Sequence, residues 1–190
     1  MDKVNKKKHE GGVRKYLRRT LRQRILQIWN SRYLGACDNT VFLDTNVKFL
    51  RHPEKIRIDP HVIIKDGARL CVTNPDAELQ IGSWTTIGYH TFVFANARIR
   101  IGANCLIAPF CYLVDTNHGF KKERLIREQP MTSSPILIED DVWLGQGVTV
   151  LSGVKIGKGS VVAAGSVVIT SCPPYSVLSG NPARVIDRRR

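Results

Sequence analysis

Between Ile138 and Cys172, large aliphatic residues recur every six positions, at Ile138, Leu144, Val150, Ile156, Val162 and Val168. Four residues after each stands a small or β-branched one: Val142, Val148, Val154, Ser160, Ser166 and Cys172. A helix face repeats at about 3.6 residues and a strand at 2, so a strict six with an even offset of four keeps one side-chain parity throughout. Only short strands joined by sharp turns satisfy that pattern. Three hexads make one turn of a triangular prism, and Gly145 and Gly157 mark places where the backbone bends or packs closely. The period predicts an all-β fold, a parallel β-helix.

The register extends backwards. Hexads run Ile58, Ile64, Leu70, then Ile81, Ile87, Val93, then Ile101, Ile107, Leu113. An I-x-I pattern opens each coil, at Ile56/Ile58, Leu79/Ile81, Ile99/Ile101, Ile136/Ile138 and Val154/Ile156, which gives coil lengths of 23, 20, 37 and 18 residues. The excess over three bare hexads must leave the prism as loops, because parity has to survive for the inward face to stay apolar. Five coils at the spacing of adjacent strands stack to about 24 Å. Residues 36–173 are expected to form this body, with a loop over 114–135 and a C-terminal tail over 174–190 that closes one end. Tyr33 to Phe49 reads as an irregular connection with a strand or two that starts the prism.

At 190 residues the chain is long enough for one continuous core. Its net charge of +13 is unevenly placed, since residues 1–35 hold eleven Lys/Arg against Asp2 and Glu10. Residues 1–12 are polar, basic and expected to be disordered. Val13 to about Trp29 reads as a basic amphipathic helix, with Leu17, Leu21, Ile25 and Ile28 or Trp29 as its stripe. Such a helix either packs on an end or side of the prism or lies on a membrane surface or partner. No run of eighteen apolar residues occurs and no apolar stretch follows the basic start, so a cytoplasmic location is expected. Cys105, Cys111 and Cys172 fall on inward small positions and Cys37 and Cys71 stand alone, which suits buried, reduced thiols. No finger or aromatic-interleaved basic strand accompanies the charge, so nucleic acid is not the expected partner.

The 37-residue coil bulges through Val114 to Pro135, and repeat folds place insertions where function is. This loop holds His118, preceded by Asp115 and followed by Gly119. On composition alone, a histidine in a polar loop is as readily a solvated side chain as a catalyst.

Several pieces lie in unbroken order from Val93 to Arg188. They are ANARIRIG at 95–102, LIAP at 106–109, DTNHG at 115–119, PILIEDDVWLGQGV at 135–148, VVAAGSVV at 161–168 and GNPARVI at 180–186. On these the chain resembles the hexapeptide-repeat acyltransferases, near the galactoside and maltose O-acetyltransferases and the polysaccharide O-acetyltransferases. The resemblance implies a left-handed β-helix, a homotrimer, and acyl transfer from acetyl-CoA in a cleft between subunits. The hand departs from the usual right-handed crossover, and periodicity does not reveal it.

Carried over residue by residue, the resemblance makes His118 the general base on the acceptor hydroxyl, a poor nucleophile until its proton is taken. It makes Asn96 a contact of the acceptor, where a polar turn residue is the plain alternative. Asp115 is read as a solvated turn residue rather than the group that orients His118. Trp143, Gly145 and Ala164 match positions lining the pantetheine arm of the donor, and Arg184 one near its nucleotide end. Gln146 stands where relatives often have serine, so the donor to a developing oxyanion is either this side chain or a backbone N–H.

The function expected is transfer of an acetyl group from acetyl-CoA to a hydroxyl of a sugar or glycan intermediate, with no metal. N-acetylation of an amino sugar uses the same parts. A zinc enzyme on this scaffold needs three converging histidine ligands, whereas His61, His90 and His118 come one per coil. A β-helix that serves only as an assembly scaffold is the non-enzymatic alternative.

Overall fold

In a strand, side chains alternate between faces, so each hexad turns two short strand positions inward and spends the rest on a corner. In the computed structural model, which describes residues 20–190, this builds six coils of three strands. The first two are β1 (Ala36–Cys37), β2 (Phe42–Leu43), β3 (Lys48–Arg51), and β4 (Ile56–Ile58), β5 (Ile63–Ile64), β6 (Arg69–Val72). The third is β7 (Glu78–Ile81), β8 (Thr86–Ile87), β9 (Phe92–Ala95), and the fourth β10 (Arg98–Ile101), β11 (Leu106–Ile107), β12 (Tyr112–Val114). A ribbon of β13 (Thr116–His118) and β14 (Met131–Ser133) then leaves the prism. The chain returns as β15 (Ile136–Ile138), β16 (Trp143–Leu144), β17 (Thr149–Val150), then β18 (Lys155–Ile156), β19 (Val161–Val162), β20 (Val167–Val168), and ends in β21 (Ser176–Gly180) and β22 (Ala183–Arg188).

Equivalent strands pair in parallel into three sheets, the first from β1-β4-β7-β10-β15-β18, the second from β2-β5-β8-β11-β16-β19-β21, to which β22 adds antiparallel, and the third from β3-β6-β9-β12-β17-β20. Register keeps like on like. Ile58, Ile81, Ile101, Ile138 and Ile156 align in the first sheet, and Ile64, Ile87, Ile107, Leu144, Val162 and Leu178 in the second. Leu70, Val93, Leu113, Val150 and Val168 form the third column. All are buried, as are the small positions from Val142 to Cys172. Each fully buried aliphatic side chain contributes about 1.5–3 kcal/mol, and every such column joins neighbouring coils.

Polar residues on the inward small positions are satisfied by the next corner. Thr85 Oγ1 donates to the Gly102 carbonyl at 2.7 Å, and Ser166 Oγ accepts from Gly180 N at 3.1 Å. Burial pushes the Cys105 and Cys111 thiols up to about 11, so neither is a ready nucleophile.

The first coil, 36–51, is a full turn where the sequence suggested only a strand or two. Cys37, Leu43 and Phe49 are themselves six apart, with Val41 and Val47 at the offset of four. The hexad was obscured because Cys and Phe stand where later coils have aliphatics and because a 3-10 turn at Pro53–Lys55 breaks the count.

At the other end, β21 continues the second sheet and β22 folds back on it antiparallel, so the tail over 174–190 is a hairpin that covers the last edge.

The described helix, α1 (Leu21–Ser31), starts after Thr20, which is extended and forms a capping box with Gln23. The expected helix over 13–29 is interrupted at Thr20 and runs on to Ser31; its part before Thr20, and the expected disorder of 1–12, lie outside the described residues. α1 docks on the first coil through its polar side. Gln23 Nε2 donates to Asp44 Oδ1 at 3.3 Å, and Gln27, nearly fully buried, donates to the Asn39 carbonyl at 3.0 Å. Leu21, Ile25, Ile28 and Trp29 of the apolar stripe are exposed, so the helix packs on the prism without using them.

Candidate active site

The three corners of the prism differ in chemistry. Where the first sheet passes to the second, and the second to the third, the chain turns on single residues with positive φ, among them His61, His90, Gly147 and Gly165. His61 stacks on Trp84 of the next coil and His90 on Phe110. The third-to-first corner carries the insertions, including the Asn74 turn, Asn96–Ala97 and the ribbon.

The ribbon rises from this corner as an antiparallel pair, Thr116 opposite Ser133 and His118 opposite Met131. Its base is held by Asp115. Far from being solvated, Asp115 is fully buried, and its carboxylate accepts from Asn96 N at 2.6 Å and Ala97 N at 2.9 Å of the preceding coil. Its carbonyl accepts from Ser134 N at 3.0 Å and Ser152 Oγ at 2.9 Å. Asp115 thus welds three coils at the root of the ribbon and positions His118 through the backbone. Asp115→Ala leaves two part-buried N–H groups without their carboxylate acceptor, and Asp115→Asn sets an amide N–H against one of them. Each variant is expected to lose about 2–4 kcal/mol, measurable as a lower denaturant midpoint.

Asn96 sits directly beneath. Its amide oxygen accepts from Thr73 Oγ1 and, at 3.3 Å, from Asn74 Nδ2, and its amide nitrogen donates to Ser133 Oγ at 2.7 Å. Ser133 Oγ in turn donates to Thr116 Oγ1 at 3.0 Å. The structure therefore brings Asn96, Asp115 and His118 to one corner. Thr73, Asn74, Ser133 and Ser152 complete that network and were not singled out from sequence. Their only signal is short polar side chains recurring at the same corner.

His118 is exposed on a cleft of about 800 Å³, which is also lined by Phe120, Lys121, Arg124, Gln129 and Thr132. The tip of the ribbon is locked by Gln129, whose amide accepts from Lys121 N and donates to the carbonyls of Lys121 and Arg124 at 2.8–2.9 Å.

Trp143, Gly145, Gln146, Ala164 and Arg184 gather elsewhere, along the last strands of the second sheet and its corner with the third. Trp143 lies between Leu106 and Val161 with its indole half exposed. A Cβ on Gly145 would stand 2.6 Å from Ala164 N, so these two coils touch backbone to backbone there. Gln146 is exposed, and its carbonyl accepts from Gly165 N at 2.8 Å. Beside them Gly147 and Gly165, at φ +68 and +70, face open space. The result is a shallow backbone track along the corner. Arg184, exposed on β22 opposite Ser179, stands at its outer end. Within one chain the strands of the third sheet separate this track from the ribbon of His118.

Among the described residues, no group of three or more His, Cys, Asp or Glu side chains is placed to hold a metal ion.

Residues 135–170 match the family described as bacterial transferase hexapeptide (six repeats). The chain is 37% identical over 110 residues to galactoside O-acetyltransferase of Escherichia coli, covering 58% of this chain and 54% of that protein. It is 53% identical over 58 residues, 30% of this chain and 25% of the other, to 2,3,4,5-tetrahydropyridine-2,6-dicarboxylate N-acetyltransferase of Clostridium perfringens. Among solved structures it is similar to a hexapeptide-repeat-containing acetyltransferase of Vibrio cholerae, crystallised with acetyl coenzyme A, at 26% identity and a TM-score of 0.67 over 90% of this chain and 80% of that one. The chain spans about half the length of the curated relatives it matches.

Proposed function

We propose, for a chain that belongs to the bacterial hexapeptide-repeat transferases, that it moves an acetyl group from acetyl-CoA to a hydroxyl of a sugar or glycan, with His118 as general base. The observation that carries this reading is the built corner: an exposed histidine on a cleft, on a ribbon whose root is fixed by a buried carboxylate. Apolar packing alone does not call for such a root, whereas a base that must meet a substrate oxygen within hydrogen-bond reach does.

In this reading His118 takes the acceptor proton as the oxygen attacks the thioester carbonyl. A new C–O bond forms, the C–S bond breaks, and the imidazolium returns its proton to the departing CoA sulfur. Asn96, with one amide hydrogen committed to Ser133, turns the other to the acceptor. The track at Gly145, Gln146 and Ala164 holds the pantetheine arm by its fixed backbone groups, Trp143 flanks it, and Arg184 meets the nucleotide end. The oxyanion falls to a backbone N–H or the Gln146 amide beside the track.

Because track and base occupy different corners, one working site is assembled from two copies. A head-to-tail contact that repeats closes into a ring, and a homotrimer fits a three-sided body. The third sheet's outer face, between the two corners, carries Phe92 in ring contact with both Phe94 and Tyr112, a surface suited to a neighbouring copy. Five free cysteines suit a reducing, cytoplasmic setting. Transfer to an amine is the second reading, favoured by the 58-residue match to an N-acetyltransferase.

The test is CoA thiol release from acetyl-CoA against nucleotide sugars, free sugars, amino sugars and lipid-linked glycans. Acceptor-dependent release with an ester product supports the proposal. An amide product transfers it to the second reading, and a protein that neither binds nor consumes acetyl-CoA overturns it in favour of a scaffold.

A further inference from the structure

The orientation of α1 inverts what an amphipathic helix normally does on a soluble core. Leu21, Ile25, Ile28 and Trp29 are 74%, 58%, 60% and 58% exposed, while Gln27 on the opposite side is buried against the first coil. Their spacing of four, three and one puts them on a single face, and two glutamine hydrogen bonds to Asp44 and Asn39 hold that face outward. We propose that this stripe is a docking surface for an anionic lipid membrane, on which the helix lies without crossing.

Three observations choose lipid over other occupants. Arg24 flanks the stripe and Arg32 caps the helix, both exposed, in a segment whose eleven Lys/Arg face only two acids. That charge is complementary to acidic headgroups. A second copy of the same basic segment would set like charge against like, which disfavours pairing through this face. Trp29 lies 6.1 Å from Tyr33, itself exposed, and paired aromatics at the rim of an apolar stripe suit the headgroup level of a bilayer. Among the described residues, no helix is long and apolar enough to cross a membrane, so contact is in the plane.

The full chain is tested by co-sedimentation with vesicles of phosphatidylcholine mixed with phosphatidylglycerol, and with phosphatidylcholine alone. Binding is expected to the mixed vesicles, weakening as salt is raised. Ile25→Glu combined with Ile28→Glu is expected to lower the partition coefficient about tenfold or more, with the melting curve and oligomeric state unchanged because both side chains are exposed. Tryptophan emission should shift to the blue on binding, and Trp29→Phe should remove that shift. Absence of wild-type binding to mixed vesicles overturns the proposal, and so does undiminished binding by the double variant. A double variant that falls apart into smaller species also overturns it, since the stripe would then be a contact between copies.

Discussion

His118→Ala is expected to lower kcat about 10²–10⁴-fold while the protein keeps its fold, its oligomeric state and its affinity for acetyl-CoA. The size is that of a single general base acting on a hydroxyl in the chemical step. Selectivity for that step follows from placement. The side chain is exposed on the ribbon, and the proposed donor track lies on another corner of the same chain. A variant that turns over like wild type on the true acceptor removes the assignment. One that loses CoA binding instead makes His118 part of the donor site.

Ala164→Trp is expected to weaken acetyl-CoA at least about tenfold, or about 1.4 kcal/mol, without loss of fold. Ala164 is exposed and next to the open backbone of Gly165, so an indole has room outward. It then lies across the track that Gly145 keeps narrow by letting two coils touch. The same substitution at Gly145 would act differently, because even a Cβ there meets backbone 2.6 Å away and forces the coils apart. Direct titration of the folded variant with CoA separates the two effects, and unchanged affinity would put the donor elsewhere.

The prism was legible because a parallel β-helix repeats its physics: each hexad must bury an aliphatic at one position and a small residue at another, so the columns from Ile58 to Ile156 could be written down before any fold was seen. The first coil escaped because Cys37 and Phe49 fill its inward positions. Packing tolerates them at an end, where fewer neighbours constrain size. The ribbon's existence followed from the length of the fourth coil, whereas the buried role of Asp115 did not. Nothing local distinguishes an aspartate before a turn that faces water from one that reaches the backbone of the preceding coil, nineteen residues away in the case of Asn96. The helix shows the same limit from the other side. Its amphipathic pattern was plain, but which face meets the prism depends on Asp44 and Asn39, which lie on another element. The division of candidate residues between two corners is likewise a property of coil geometry that motif order conceals.

That division makes the central claim, a site shared between copies, directly measurable. His118→Ala and Ala164→Trp chains, each inactive or weakly active alone at limiting acetyl-CoA, are mixed by co-expression and the mixed oligomers isolated by two affinity tags. If base and donor track come from different copies, one of the three sites in each isolated mixed trimer, about a third, combines an intact His118 with an intact track. Transfer activity should then rise to about that fraction of wild type. Mixed oligomers that stay at the level of the separate variants would place both halves of the site in one chain and contradict the account.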